Sequence, residues 1–321
     1  MIPVAICVIT YRRPAGLARL LEGIARLRFS GPELPLEIVV VDNDAAGTAR
    51  EVCASHAAGR RWPLRYAIEP QPGIASARNC AVALALERAE RIAFIDDDEV
   101  PEPEWLDELL AAAARTGADV VAGPVLPVYS EAVPEWIRRG GFFDRPRHPD
   151  GAELDVARTG NVLIHRRVFE SLPADFDPRF GLTGSEDTHF FLRVRRAGFR
   201  IVWADRAVVT EWLPAKRATA GWLLQRAYRG GNGHTRCELA IADSFTRRAV
   251  RTAKGLGRVS YGLIGLPFGL LRGRAAALRF AREAALGLGT LAALFGSTYQ
   301  EYRRKSSAAA GKAHAKLEQT G

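Results

Sequence analysis

Phe94-Ile95 runs directly into four consecutive acids, Asp96-Asp97-Asp98-Glu99. Two β-formers ahead of the acids predict a strand that presents carboxylates at the lip of a sheet. Packed carboxylates repel one another, so a cation is the natural compensation, and oxygen-only ligands suit Mg²⁺ or Mn²⁺. Such an ion in turn suits a diphosphate. A second acidic pair, Glu186-Asp187, opens an amphipathic run from Thr188 to Arg196. One acidic cluster for a metal and one for a base is a combination suited to nucleotide-sugar chemistry. The bland alternative for Asp96 to Glu99 is an acidic loop at a helix start, because Pro101 and Pro103 follow.

The elements that must position these acids read as α/β. Residues 3–10 and 37–41 are short apolar runs, each a buried strand, and the second ends in Asp42-Asn43-Asp44. Between them Leu17, Leu20, Leu21 and Ile24 recur at helical spacing. A helix from about Gly47 to Ala57 and a strand from Leu64 to Ile68 follow. After the Gln71-Pro72-Gly73 turn comes an Ala-rich helix, Ile74 to Glu90, and then the strand Arg91 to Ile95. This βαβαβ alternation predicts a parallel sheet with helices on both faces. Ligands of such sheets bind beyond the carboxyl ends of the strands, where Asp42 and Asp96 to Asp98 both fall. Further on, Trp105 to Arg115 reads as a helix and Val120-Val121 as a short strand. Residues 129–155, rich in Pro, Gly, Arg and aromatics, read as a long functional loop or lid. Val162 to Ile164, Ile201 to Trp203 and Ala207 to Val209 are late strands, and Arg166 to Ser171 is a short helix.

After Pro214 the character changes, which divides the chain into residues 1–214 and 215–321. The first part carries 26 basic and 31 acidic residues, a net −5, and the second 19 and 5, a net +14. That asymmetry points to an anionic surface as partner, lipid or nucleic acid. Long apolar runs and few exposed-looking aromatics argue against nucleic acid. An amphipathic run from Trp222 to Tyr228 leads into Arg229-Gly230-Gly231-Asn232-Gly233-His234. The apolar stretches Val259 to Leu271 and Ala284 to Phe295 are each shorter than the roughly 18–20 residues needed to span a bilayer. Arg272, Arg274, Arg279 and Arg282 lie between them, a pattern that fits interfacial helices or a shallow hairpin. A globular helical bundle or a dimer interface is the alternative. The tail from Lys305 is expected to be disordered. Cys7, Cys53, Cys80 and Cys237 show no CxxC spacing and read as buried thiols in a reducing compartment. The N-terminus enters a strand at once, so no signal peptide is expected.

Five pieces occur in an order and spacing that resemble the bacterial family 2 glycosyltransferases of GT-A fold. They are Thr10-Tyr11-Arg12-Arg13-Pro14, Val41-Asp42-Asn43-Asp44, Gly73 through Ala77-Arg78-Asn79, Phe94 to Glu99, and Gly184-Ser185-Glu186-Asp187-Thr188-His189-Phe190-Phe191. Within that family the chain looks most like the succinoglycan and other exopolysaccharide glucosyltransferases. The resemblance, firm over roughly residues 3–235 and loose beyond, implies a Rossmann-like mixed sheet, to which the charge split and the apolar runs add a helical, membrane-associated C-terminal extension. It implies an inverting enzyme that moves one sugar from a nucleoside diphosphate sugar, a UDP-sugar, to a lipid-linked glycan at the inner face of the cytoplasmic membrane. The enzyme would sit there as a peripheral or monotopic protein.

Residue roles follow from the same resemblance. Thr10, Tyr11, Asp42, Arg78, Asp96 and Asp97 would serve the donor nucleotide, with Asp98 the ligand of Mn²⁺ or Mg²⁺ in the DxD motif. Asp187 would be the catalytic base, its proton affinity raised by the like charge of Glu186. Gln225, Arg226 and Arg229 resemble an acceptor-side motif, but Gly230 stands where relatives carry tryptophan, which argues for single-sugar addition. Thr210 stands where many relatives supply a metal-binding histidine, leaving Glu211, water or His234 to substitute. His189, beside the base, reads as a structural or acceptor contact. Two competing readings remain. A nucleotidyltransferase would need a phosphate loop after the first strand, and Thr10 to Gly16 offers Arg12-Arg13-Pro14 instead. An inactive homologue or anionic-surface binding module would fail to hydrolyse donor with added Mn²⁺.

Overall fold

The computed structural model describes residues 3–32, 34–57, 61–172 and 175–300; the tail from Lys305 lies outside the described residues. The expected alternation is realised by β1 (Val4–Thr10), α1 (Pro14–Ala25), β2 (Leu36–Asp42), α2 (Arg50–Ala57), β3 (Leu64–Ile68), α3 (Ile74–Leu86) and β4 (Arg91–Ile95). β1 pairs in parallel with β2 and β4, and β2 with β3. α2 begins three residues later than its composition suggests, because Gly47 sits at φ +68 and cannot belong to a right-handed helix.

The second half turns the sheet mixed. It contains β5 (Glu99–Pro101), α4 (Trp105–Thr116), β6 (Val120–Ala122), β7 (Val125–Tyr129), α5 (Glu135–Gly140), β8 (Asn161–His165), α6 (Arg166–Ser171), α7 (Glu186–Arg196), β9 (Ile201–Trp203) and β10 (Val209–Leu213). The main sheet has seven strands in the order β3-β2-β1-β4-β8-β6-β9, and β5, β10 and β7 form a second, three-stranded sheet. β8 runs antiparallel between β4 and β6. Asn161, its first residue, fixes that return: its amide donates to Pro124 O and Ala207 O at 2.9 and 2.7 Å and accepts from the Trp105 indole at 2.7 Å. The same bond holds Ala207 in a connection, so the last strand starts at Val209 instead of Ala207.

The strands of the main sheet are apolar on both faces, as a sheet covered by helices requires. Ile6, Val8 and Val40 pack on Leu17, Leu20 and Ile24 of α1. Ala5, Cys7, Val39 and Val41 face Ala77, Ala81 and Val82 of α3 on the other side. Each large aliphatic buried here contributes about 1.5–3 kcal/mol.

The chain ends in three long helices, α8 (Ala220–Ile241), α9 (Phe245–Leu271) and α10 (Arg274–Leu294). α10 packs against both α8 and α9, while α8 meets α7 and α10 meets α5. The boundary expected at 214 is bridged by a packed cluster that joins Val133, Ile137, Phe142 and Phe143 to Leu213, Leu223 and Leu278. α8 runs straight through the Gly-rich segment after Arg229, because those glycines are contact points: a Cβ at Gly231 would strike Leu286 O of α10, and one at Gly233 would strike the Ser185 hydroxyl. α9 buries Gly255, Gly262, Gly265 and Gly269 against α10 and leaves most of its large side chains outside. Among the described residues no helix is long and apolar enough to cross a membrane.

Candidate active site

The acids after β4 divide their labour. Glu99 folds back so that its carboxylate accepts from Asp96 N at 3.0 Å; burial, then Asp96, pushes its carboxyl well above the usual range. Asp97 is buried and accepts from the Thr10 hydroxyl at 2.8 Å and Arg13 at 2.9 Å. Burial pushes the Asp97 carboxyl up to about 6 against the pull of Arg13. Thr10, expected to face the donor, therefore supports the acidic turn from below. Asp98 is bridged by Arg13 and by Arg217, both at 3.1 Å. Asp96 turns the other way, into a cleft, with 40% of its side chain exposed and Arg78 at 3.4 Å. Burial raises its carboxyl as well, with Arg78 pulling down and Asp98 adding to the rise.

The second acidic pair reaches the same cleft from α7. Gly184 and Ser185 take φ values of +74 and +72, a left-handed pair that turns the chain sharply into the helix. Consecutive residues on a helix point about 100° apart. Glu186 accordingly goes inward, buried, to an ion pair with Arg78 of α3, and half-buried Asp187 lines the cleft. Asp187 accepts from Thr188 N at 2.6 Å. The like charge that Glu186 was expected to set beside Asp187 is thus compensated by the Arg78 guanidinium. Arg78 joins the two clusters, since its second nitrogen faces Asp96.

On the β1–β2 side, Asp42 is fully buried and accepts from Asp44 N at 2.9 Å, Ala49 N at 2.8 Å and the Tyr66 hydroxyl at 3.0 Å. It shapes the loop after β2 with its carboxylate and turns no oxygen to solvent. Asn43 ties that loop to the start of α3 by accepting from Gly73 N at 3.0 Å. Tyr11 is the open side chain here, 37% exposed, with the Arg12 guanidinium 5.1 Å over its ring.

The cleft has a volume of ≈ 930 Å³. Arg145 and Arg158 line it from the segment between α5 and β8; Arg145 falls within the functional loop read over 129–155, and Arg158 lies beyond it. Arg226 and Arg229 line it from α8, with Gly230 beside them. The Arg226 guanidinium lies 5.6 and 5.3 Å over the rings of Phe143 and Trp222, and burial pushes it down to about 10. Gln225 is not among the lining residues; its amide donates to the Tyr299 hydroxyl.

Glu211 is held by Arg145 at 2.7 Å and Arg217 at 3.3 Å, and the Thr210 hydroxyl donates to Val100 O at 3.2 Å. Burial alone would lower the Arg145 guanidinium, but Glu99, Glu211 and Asp96 outweigh it and raise it. His234 lines the cleft, with its Nε2 engaged by Arg251 at 3.0 Å and Glu238 at 3.2 Å. His189 is buried and stacked on Phe180 at 4.7 Å, the first of the two contacts, structural or acceptor, expected of it. Arg145 and Arg217 are functional candidates that the motifs did not name. Arg145 had a signal in the Arg-rich loop composition; Arg217, in a short turn after Pro214, had none.

Among the described residues no three His, Cys, Asp or Glu side chains form a metal cage. Mg²⁺ and Mn²⁺ sites ordinarily combine one or two carboxylates with substrate phosphates and water. Asp96 and Asp98, like-charged and two residues apart at one strand end, offer the carboxylates such an ion needs, Asp98 by exchanging its Arg13 and Arg217 partners for the metal.

Residues 5–172 match the profile of glycosyl transferase family 2. The chain is 32% identical to the succinoglycan biosynthesis protein ExoM of Rhizobium meliloti, over 92% of this chain and 93% of that protein. It is 25% identical to the glycosyltransferase AglE of Haloferax volcanii, over 77% of each. Among solved structures, the mannosyltransferase of Pyrobaculum calidifontis in complex with GDP-Man and Mn²⁺ superposes with a TM-score of 0.63 at 18% identity, covering 92% of this chain and 88% of that one. The mixed sheet is therefore the GT-A fold, and the chain belongs to glycosyltransferase family 2, related to succinoglycan biosynthesis.

Proposed function

We propose that this enzyme transfers one sugar, with inversion, from a nucleoside diphosphate sugar to a lipid-linked glycan in the making of an exopolysaccharide or cell-envelope polysaccharide. One observation carries the reading. Asp96, of the strand-end acids, and Asp187, of the helix-start acids, line one cleft and are linked through Arg78 and Glu186. A donor diphosphate beside Asp96 and an acceptor hydroxyl beside Asp187 would meet there.

Arg145, Arg158 and Arg226 offer guanidinium donors to the diphosphate on the cleft wall. Mn²⁺ or Mg²⁺, held by Asp98 with Asp96, would neutralise the diphosphate and stabilise the departing nucleoside diphosphate. Asp187 takes the proton of the acceptor hydroxyl as its oxygen attacks the anomeric carbon. The new carbon–oxygen bond forms on the face opposite the bond that breaks, which inverts the centre. Gly230, with open space where a Cβ would point, leaves room beside the arginines of α8 for a glycan end. The donor is a UDP-sugar by family resemblance. The charge division of the chain supports an anionic membrane surface, and the family resemblance implies the inner face of the cytoplasmic membrane.

Asp187→Asn tests the reading directly. Donor binding, followed by thermal shift with nucleotide sugars and Mn²⁺, should persist while transfer falls about 10²–10⁴-fold, the usual contribution of a general base. A near-normal rate would remove Asp187 from the mechanism. A collapse of donor affinity would move it to the donor site. Panels of UDP- and GDP-sugars in the same assay identify the nucleotide.

A further inference from the structure

The cleft does not stop at Asp187. Its wall includes the α9–α10 hairpin, from which Arg272, Arg279 and Arg282 line it. Arg272 is exposed and its side chain makes no ion pair among the described residues. Arg279 donates to Gly140 O at 3.2 Å. Arg282 stacks 5.3 Å over the Phe142 ring, and its Nε is buried without a hydrogen-bond partner. Of the acids nearby, Glu283 is paired with Arg258 at 3.3 Å, and Asp144 lines the cleft beside Gly141. Three guanidiniums therefore share this wall with two acids, one of them, Glu283, already paired.

The chain just before the α9–α10 corner is apolar and open. Leu263, Ile264, Phe268, Leu270 and Leu271 of α9 are 60–87% exposed, and Leu271 immediately precedes Arg272. An anion-binding wall and an uncovered apolar face side by side are complementary to an amphiphile with a charged head. Guanidiniums in a fork geometry suit phosphate oxygens in particular.

We infer that Arg272, Arg279 and Arg282 form the site for the phosphate of a membrane-anchored acceptor. Its lipid tail lies along the exposed face of α9, and its sugar end reaches toward Asp187. The inference rests on the lipid-linked acceptor of the proposed function and adds where the phosphate is read. It also gives α9 an occupant, a lipid surface, in place of a second copy of the chain.

The experiment uses the full chain and neutral vesicles with or without phosphatidic acid as the phosphate-bearing probe. Wild type should sediment with the doped vesicles, and Arg272→Gln/Arg279→Gln should lose roughly tenfold in affinity, as expected for lost charge-assisted bonds. Donor affinity, read by thermal shift, should not move. Arg272→Lys/Arg279→Lys keeps the charge and loses the fork, and it replaces the Gln pair should that pair fail to fold. Lysine variants that bind as wild type would reduce the site to bulk attraction and overturn it. Displacement from vesicles by inorganic phosphate at matched concentration would assign a free-phosphate site and overturn the lipid source. A chain that self-associates through α9, becoming monomeric with Phe268→Ser while vesicle binding is unchanged, would make that face a contact between copies. Transfer to a soluble glycan as fast as to a lipid-linked one would undo the acceptor reading itself, independently of the vesicle result.

Discussion

The sheet and the C-terminal hairpin bury opposite kinds of residue. In β1, β2 and β4 the inside is Ile, Val and Phe, and the helices that cover them contribute Leu and Ala. In α9 the inside is glycine and the outside is Leu, Ile and Phe. The first arrangement draws its stability from apolar area removed from water. The second lets two helix backbones approach closely and gains van der Waals contact, while leaving its apolar area unburied. Packing of that kind is favoured where the surroundings are themselves apolar. If the lipid contact proposed for α9 holds, the two regions face different solvents.

The contrast can be broken at either end. Ile6→Ala in β1 should cost about 2–5 kcal/mol in a denaturant titration, because a void opens in a core that cannot collapse around it. Gly262→Leu should cost less, about 1–3 kcal/mol. A Cβ at Gly262 meets Ala284 N and Phe280 O at 2.6 Å, so α9 and α10 must part. Hydrogen exchange should then rise in those two helices and stay unchanged in the sheet; a uniform rise would mean the regions unfold together.

A smaller effect sits at the seam, where α7 meets α8. Burial lowers the His189 imidazole below its usual 6.5. The folded chain then binds fewer protons than the unfolded chain in the window just below that value. Stability should accordingly fall as pH drops below about 6.5. His189→Phe, which keeps the stack on Phe180, should flatten that part of the melting profile. Smallest of all is Ile264→Ser on the outer face of α9, expected within about 0.5 kcal/mol of wild type in water. The same variant should bind vesicles more weakly, so a large loss of stability in solution would show that the face is buried after all.

The legible parts of the site were those with a local cause. Two β-formers followed by acids can be read at Asp96 to Glu99, because strand and turn are set within a few residues. Glu186-Asp187 is readable as a helix start, and Gly184 before it as a turn. Asp42 illustrates the limit. An acid at a strand end was visible, but its capture by Asp44 N, Ala49 N and Tyr66 depends on how the following loop closes. Arg145 and Arg217 were out of reach for a related reason. Their role comes from sharing Glu211 across the fold, and an arginine in a loop carries no periodicity to betray its partner. The hairpin was readable in outline from two apolar runs and the arginines between them. Its inverted packing also left a trace, since Gly255, Gly262 and Gly269 recur every seven residues, a spacing that places them on one helix face. The antiparallel entry of β8 left none, because the long excursion before it decides the direction.

Arg78 has a consequence for how this enzyme can change over time. One guanidinium answers both Asp96 and Glu186, so a substitution at either acid alters the field at the other. Variation around Asp96 is thereby filtered through Glu186 and the start of α7. Changes at the two acids should be epistatic, and a new sugar preference that disturbs Asp96 is expected to need a compensating change near α7 before it can persist.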